Sequence, residues 1–222
     1  MTDRNKDETA GNEAKNERTE IVVLMDASGS MNSIREDAVG GFNSFIEKQK
    51  EQDGEANITV TFFDSNRYTK WLEGIDLQAC PVLNGEYRPG AATPLLDATG
   101  RTIEELEARL AGLDAAVQPA RVMVIVVTDG QENSSRFFTR EQVKRRIEEK
   151  QEAAGWQFVF LAANVDAFDE GRQMGFPKRN TAGYKSTRKG TRKAFDAMSK
   201  AVLCYRDVGT VENLGCEIEE DD

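Results

Sequence analysis

Two short apolar runs, Ile21–Met25 and Val122–Val127, each lead within two residues to an aspartate, Asp26 and Asp129. Runs this short, continuous and β-branched predict strands covered on both faces, the pattern of a parallel sheet sandwiched between helices. Trp156–Ala162 reads as a third such strand, and Ile58–Phe63, which alternates with Thr, as a fourth. Tyr68–Leu72 is a weaker strand that can pair with the fourth as a hairpin. Helical spacing fills the intervals. Val39, Phe42, Ile46 and Gln49 mark one helix, and Thr99, Ile103, Leu106, Leu110 and Leu113 the next. Thr139 with Gln142 opens a third as a capping box, with Val143 and Ile147 as its buried stripe. Phe195, Met198, Val202 and Tyr205 mark the last. Alternating strands and amphipathic helices predict an α/β fold, a mostly parallel sheet with helices on both faces.

The 222 residues suffice for one well-buried domain. Residues 1–19 are polar, with almost no apolar positions, and are expected to form a disordered tail. The folded body is expected over 20–206. Residues 207–222 carry only acidic charges and read as a second tail. A net charge of −10 argues against broad nucleic-acid binding. The chain contains no histidine, which excludes histidine general bases, Ser-His-Asp triads and histidine-ligated zinc. Cys80, Cys204 and Cys216 are odd in number and form no CxxC pair, so they read as thiols of a reducing compartment. No apolar run nears the roughly 20 residues of a membrane span, and the N-terminus lacks a signal-peptide core. A cytoplasmic protein with no membrane partner is expected.

Three segments carry the chemistry: Asp26-Ala27-Ser28-Gly29-Ser30, Gly90-Ala91-Ala92-Thr93-Pro94-Leu95 and Thr128-Asp129-Gly130. Each has an ordinary explanation. Asp and Ser after a strand make a turn and cap a helix, Thr93-Pro94 is an N-cap with proline at the first helical position, and Asp129-Gly130 is a turn. Together they fit a different account. Ligands of open α/β sheets sit beyond the carboxyl ends of the strands, where the strand order reverses. If the strands ending at Asp26 and Asp129 are neighbours, their carboxylates converge with the hydroxyls of Ser28, Ser30 and Thr93. Such an all-oxygen set with two charges suits a hard cation such as Mg²⁺, with Mn²⁺ and Ca²⁺ as alternatives.

At these residues the chain resembles the von Willebrand factor A family. That family's metal ion-dependent adhesion site is Asp-x-Ser-x-Ser, a Thr on a separate loop, and an Asp after the fourth strand. Asp26, Ser28, Ser30, Thr93 and Asp129 occupy those positions. Met31, Thr93-Pro94-Leu95-Leu96-Asp97-Ala98 and Thr128-Asp129-Gly130 match the surroundings. The resemblance is to compact intracellular bacterial or phage members. It implies a Rossmann-like, doubly wound sheet of order 3-2-1-4-5-6 with one antiparallel edge strand. It also implies that the serines, and Thr93 in one state, touch the metal directly, with one or both aspartates acting through water. The function it implies is a metal-dependent protein-binding adaptor whose partner presents an Asp or Glu to Mg²⁺. Ring ATPases and stress-response complexes are the partner classes it suggests.

Other functions meet specific obstacles. A haloacid dehalogenase-type phosphatase, the Mg²⁺-dependent phosphotransfer alternative, needs a second Asp where Ser28 stands. No GxxxxGK[ST] or GxSxG segment is present. No enzyme activity is therefore expected. Lys178, Arg179, Lys185, Arg188, Lys189, Arg192, Lys193, Lys200 and Arg206 crowd one stretch and offer a nucleic-acid or ribosome surface as an alternative. A solvated helix face is the preferred reading of that stretch. Asn32, Ser33, Asn133, Ser134 and Ser135 are expected to rim the metal face; Asn164 and Asp166 lie at the same sheet edge or cap a helix.

Overall fold

A computed structural model of the protein describes residues 18–163, 165–211 and 214, with residues 165–168 as backbone only. Among the described residues, six strands form one sheet: β1 (Thr19–Asp26), β2 (Ala56–Asp64), β3 (Arg67–Asp76), β4 (Arg121–Thr128), β5 (Gln157–Ala162) and β6 (Thr181–Gly183). Their order is β3-β2-β1-β4-β5-β6. Only the β2–β3 hairpin is antiparallel; the remaining neighbours run parallel. The strand order therefore reverses between β1 and β4, the position where open α/β sheets leave a crevice.

Five α-helices among the described residues connect and cover the strands: α1 (Arg35–Lys50), α2 (Leu95–Ala111), α3 (Arg140–Ala154), α4 (Val165–Gln173) and α5 (Arg188–Val208). Strand periodicity assigns the two cores. Ile21, Val23 and Met25 of β1, with Met123, Ile125 and Val127 of β4, face α1 and α5. Val22, Leu24, Val122, Val124 and Val126 face the opposite layer, where Leu95, Ile103, Leu106 and Leu110 of α2 and Val143 and Ile147 of α3 pack. Every residue of β1 is buried, as expected of a strand covered on both sides.

The helix signals are realised. Phe42, Ile46 and Gln49 are buried on α1, and Phe195, Met198, Val202 and Tyr205 on α5. The Thr139–Gln142 capping box opens α3 with both reciprocal bonds, and Gly155 closes it in the left-handed region at φ 66°.

Two expectations need correction. The core does not stop at Arg206: α5 continues to Val208, and Val211 and Leu214 pack against the α1–α5 side of the sheet. The rest of the expected tails, residues 1–17, 212–213 and 215–222, lies outside the described residues, as do Asn164 and the Asp166 side chain. Arg206 is also no part of a basic surface. It is buried, and its guanidinium donates to the carbonyls of Gln49 (2.6 Å), Gln52 (3.3 Å), Asp53 (3.4 Å) and Gly54 (3.0 Å). Of these carbonyls, that of Gln49 lies in the last turn of α1 and the other three in the turn that follows the helix. Lys178, Arg179, Lys185, Arg188, Lys189, Arg192 and Lys200 are exposed, with Arg188 3.2 Å from Asp37; Lys193 is half-buried. Of these, Arg188, Lys189, Arg192, Lys193 and Lys200 lie on α5. Among the described residues, no helix is long and apolar enough to cross a membrane.

Candidate metal centre

Parallel register places the two aspartates side by side. Met25 pairs with Val127, so β1 and β4 end level with each other, and Asp26 and Asp129 emerge at the same edge. The turn after β1 is tightly wound. Asp26 Oδ1 accepts from the Ser28 amide at 2.7 Å, and a 3₁₀ turn over Gly29–Ile34 follows. Neither Ser28 nor Thr93 acts as a helix cap. Ser28 precedes the 3₁₀ turn without a side-chain bond to its backbone amides, and α2 starts at Leu95 with Pro94 at its cap position and no capping side chain of its own. The structural roles that would have explained these hydroxyls away are not the ones they perform.

The three segments meet in one cluster of oxygens. Ser28 Oγ and Ser30 Oγ are 3.1 Å apart. Ser30 donates to Asp129 Oδ1 at 2.6 Å, and Thr128 Oγ1 donates to Asp26 Oδ2 at 2.6 Å. Thr93 reaches the cluster from its own loop. A β-carbon placed on Gly130 would lie 3.1 Å from Thr93 Oγ1 and 3.8 Å from both Asp26 Oδ2 and Ser30 Oγ. Gly130 thus leaves open a space bordered by oxygens from all three segments. The Thr93 loop is joined to the serine loop by its backbone: Gly29 N–H donates to Ala91 O at 2.9 Å, and Gly90 N–H to Ala27 O at 2.7 Å. Ala91 holds φ 60°, a costly conformation for a residue with a β-carbon, which is retained where surrounding contacts demand it.

Electrostatics favour a cation here. Asp26 is fully buried, and desolvation pushes its carboxyl up to about 6, with the charge of Asp129 adding to the rise. Burial also raises Asp129. Among the described residues, no basic side chain forms an ion pair with Asp26. No cluster of three His, Cys, Asp or Glu side chains occurs among the described residues, so hydroxyls must supply what the two carboxylates do not. Two carboxylates with neutral oxygens are the donors of a hard divalent ion that keeps several waters. The donor set fits such an ion: Ser30 and Thr128 spend their protons on the carboxylates and leave oxygen lone pairs for other use.

All five sequence-predicted residues, Asp26, Ser28, Ser30, Thr93 and Asp129, are therefore brought together at one edge of the sheet. Thr128, which bridges the two halves, was missed as a separate role; its position beside Asp129 is its only sequence signal. Behind the site stand two buried tyrosines that sequence reasoning also missed. Tyr87 donates to the Asp26 carbonyl and Tyr184 to the Thr128 carbonyl at 3.4 Å. Of the expected rim, Asn32 bonds Gly29 O at 3.1 Å and Ser33 bonds Ser30 O at 3.1 Å, so both brace the serine turn.

The architecture recurs in solved structures. Proximal thread matrix protein 1 from the mussel byssus, with a zinc-occupied MIDAS motif, is 16% identical over 84% of this chain and 46% of its own, with a TM-score of 0.57. The manganese-loaded TRAP protein of Plasmodium vivax is 18% identical over 81% of this chain and 74% of its own, with a TM-score of 0.56. The von Willebrand factor domain of a type V pili tip protein from Porphyromonas gingivalis is 11% identical over 87% of this chain and 98% of its own, with a TM-score of 0.59. The fold is that of a von Willebrand factor A-type domain. This chain spans less than half the length of the mussel protein, 46%, and nearly all of the pilus domain. Comparisons with protein-family models and with curated proteins give no match.

Proposed function

We propose that this chain is a metal-dependent protein-binding module. The observation that carries the reading is the space above Gly130, bordered by Thr93 Oγ1, Asp26 Oδ2 and Ser30 Oγ from three separate segments. Asp26, Ser28, Ser30, Thr93 and Asp129 would hold the ion, which we take to be Mg²⁺. When bound, such an ion supplies an electrophilic coordination position that a carboxylate fills. The partner is therefore a protein that presents an Asp or Glu at the centre of the contact. A ring ATPase or a stress-response complex is the partner class we favour, in a cytoplasmic setting. The zinc-occupied MIDAS motif of the mussel protein and the manganese-loaded state of the Plasmodium protein support a divalent ion in a domain of this fold.

The same residues weigh against catalysis. The chain has no histidine, and Ser28 stands where a phosphatase of similar layout needs a second carboxylate. The two aspartates are engaged by Thr128 and Ser30. We propose an adaptor without enzyme activity.

The test is affinity capture from the source cell with the full chain, in Mg²⁺ against EDTA, using wild type and Asp26→Ala. A defined partner retained by wild type in Mg²⁺, and lost both in EDTA and in Asp26→Ala, is the expected result. A partner held equally in all conditions would overturn the reading, as would turnover of a phosphate ester that disappears in Asp26→Ala.

A further inference from the structure

The helix that follows Thr93 has no cap of its own, and its first amides are satisfied by another loop. Glu132 Oε2 accepts from Leu96 N–H at 3.0 Å, and Ser135 Oγ accepts from Asp97 N–H at 3.0 Å. Both residues lie in the segment after β4, beyond Asp129. The exchange is reciprocal. Asp97, in the first turn of α2, accepts from three successive amides of that segment: Arg136 (2.7 Å), Phe137 (2.8 Å) and Phe138 (2.8 Å). Glu132 is itself oriented by the amides of Ser134 and Ser135 (2.9 and 2.7 Å) and by the Ser135 hydroxyl at 2.7 Å. Carboxylates at unsatisfied helix amides are favoured by both the hydrogen bonds and the helix dipole.

Thr93 sits at the metal end of this lattice. Its amide donates to Asn133 Oδ1 at 2.8 Å, and its carbonyl accepts from the Asn133 amide at 3.1 Å. One residue thus grips Thr93 on both backbone groups, as a neighbouring strand would, and fixes the main chain from which Oγ1 projects. Asn133 is exposed, and among the described residues its side chain bonds the Thr93 backbone rather than the oxygen cluster itself.

We infer that Asn133 is a positioning residue for the metal ligand Thr93, and that the loop after β4 thereby sets how strongly the site holds its ion. The inference rests on the metal-binding reading above. Ligand placement by a group that does not touch the metal carries large effects, about 10–100-fold in affinity when such a group is removed. The mechanism is geometric: without Asn133 the Thr93 amide turns to water, and its hydroxyl samples positions away from the other donors.

The experiment is a Mn²⁺ titration followed by electron paramagnetic resonance, on the full chain of wild type, Asn133→Ala, Thr93→Ala and the double variant. We expect each single substitution to weaken Mn²⁺ affinity by about tenfold, and the double variant to be no weaker than Thr93→Ala alone. Asn133→Asp keeps the accepting oxygen and is expected to bind at least as tightly as wild type. Additive losses in the double variant would overturn the inference, because Asn133 would then act on the ion by a route other than Thr93. Wild-type affinity in Asn133→Ala, or a loss in Asn133→Asp equal to that in Asn133→Ala, would overturn it too. Wild type that binds no Mn²⁺ would instead sink the metal reading itself, and the inference with it. Equal melting temperatures of the metal-free forms identify the losses as local to the site.

Discussion

The Ser30 hydroxyl donates a 2.6 Å hydrogen bond to the Asp129 carboxylate across 99 residues of sequence. This bond joins the turn after β1 to the turn after β4 at the point where the sheet order reverses. It orients a carboxylate and leaves the serine oxygen a lone pair for the ion. Ser30→Ala removes both services while deleting only a partly exposed hydroxyl. We expect its Mn²⁺ affinity to fall by at least about tenfold, with far-UV circular dichroism unchanged. Calorimetry with the variant at wild-type affinity would remove Ser30 from the site.

Metal is not expected to drive folding. Both cores form without any residue of the site, from β-branched strands and the stripes of α1, α2, α3 and α5. At free Mg²⁺ about ten times Kd, mass action stabilises the folded state by roughly 1.4 kcal/mol, a Tm shift of about 3–6 °C for a chain of this size. EDTA should lower Tm by about that amount and leave secondary structure intact. Loss of helix signal on chelation would contradict this.

The two tyrosines behind the site should differ in importance. Tyr87 reaches the Asp26 carbonyl more closely than Tyr184 reaches the Thr128 carbonyl at 3.4 Å, and both hydroxyls are buried. Tyr87→Phe leaves a buried carbonyl without that donor, at a cost of about 1–3 kcal/mol. Tyr184→Phe should cost less. Urea unfolding in EDTA checks the order, and a neutral Tyr87→Phe would mean that its hydroxyl does not hold the end of β1.

Cys80 provides a pH-dependent readout of the α1 side of the core. The residue is buried, and desolvation pushes its thiol up to about 11. The thiolate is the reactive form, so a raised folded-state value means little thiolate at neutral pH and a rising fraction up to that value. In a Cys204→Ser, Cys216→Ser background, the native alkylation rate should climb about tenfold per pH unit between pH 7 and pH 10. A plateau near the ordinary thiol value of about 8.5 would show that the thiol is solvated.

The sequence exposed what depends on local pattern. β1 and β4 were legible because strands covered on both faces are uniformly apolar, and α3 because its capping box is local. β6, only Thr181–Gly183, carries too few residues for any periodicity. The five clustered residues were legible as a set, although each alone has an ordinary role; their convergence required the pairing of β1 with β4. The capping of α2 by Glu132 and Ser135 was not legible, since Leu96 and its cap are 36 residues apart. Arg206 looked like its basic neighbours because composition does not reveal which guanidinium meets the open carbonyls at the end of α1. The burial of Val211 and Leu214 was hidden by the acidic residues around them.

The most direct test of the account is calorimetric titration of the full chain with Mg²⁺ and Mn²⁺, beside Ser28→Ala, Asp129→Ala and Gly130→Ala. Gly130→Ala places a methyl group 3.1 Å from Thr93 Oγ1, inside the space assigned to the ion. The account predicts about one site per chain for wild type, modest in affinity because neutral oxygens dominate the set, and a loss of that site in all three variants with the fold retained. Wild-type binding by both Ser28→Ala and Asp129→Ala would contradict it.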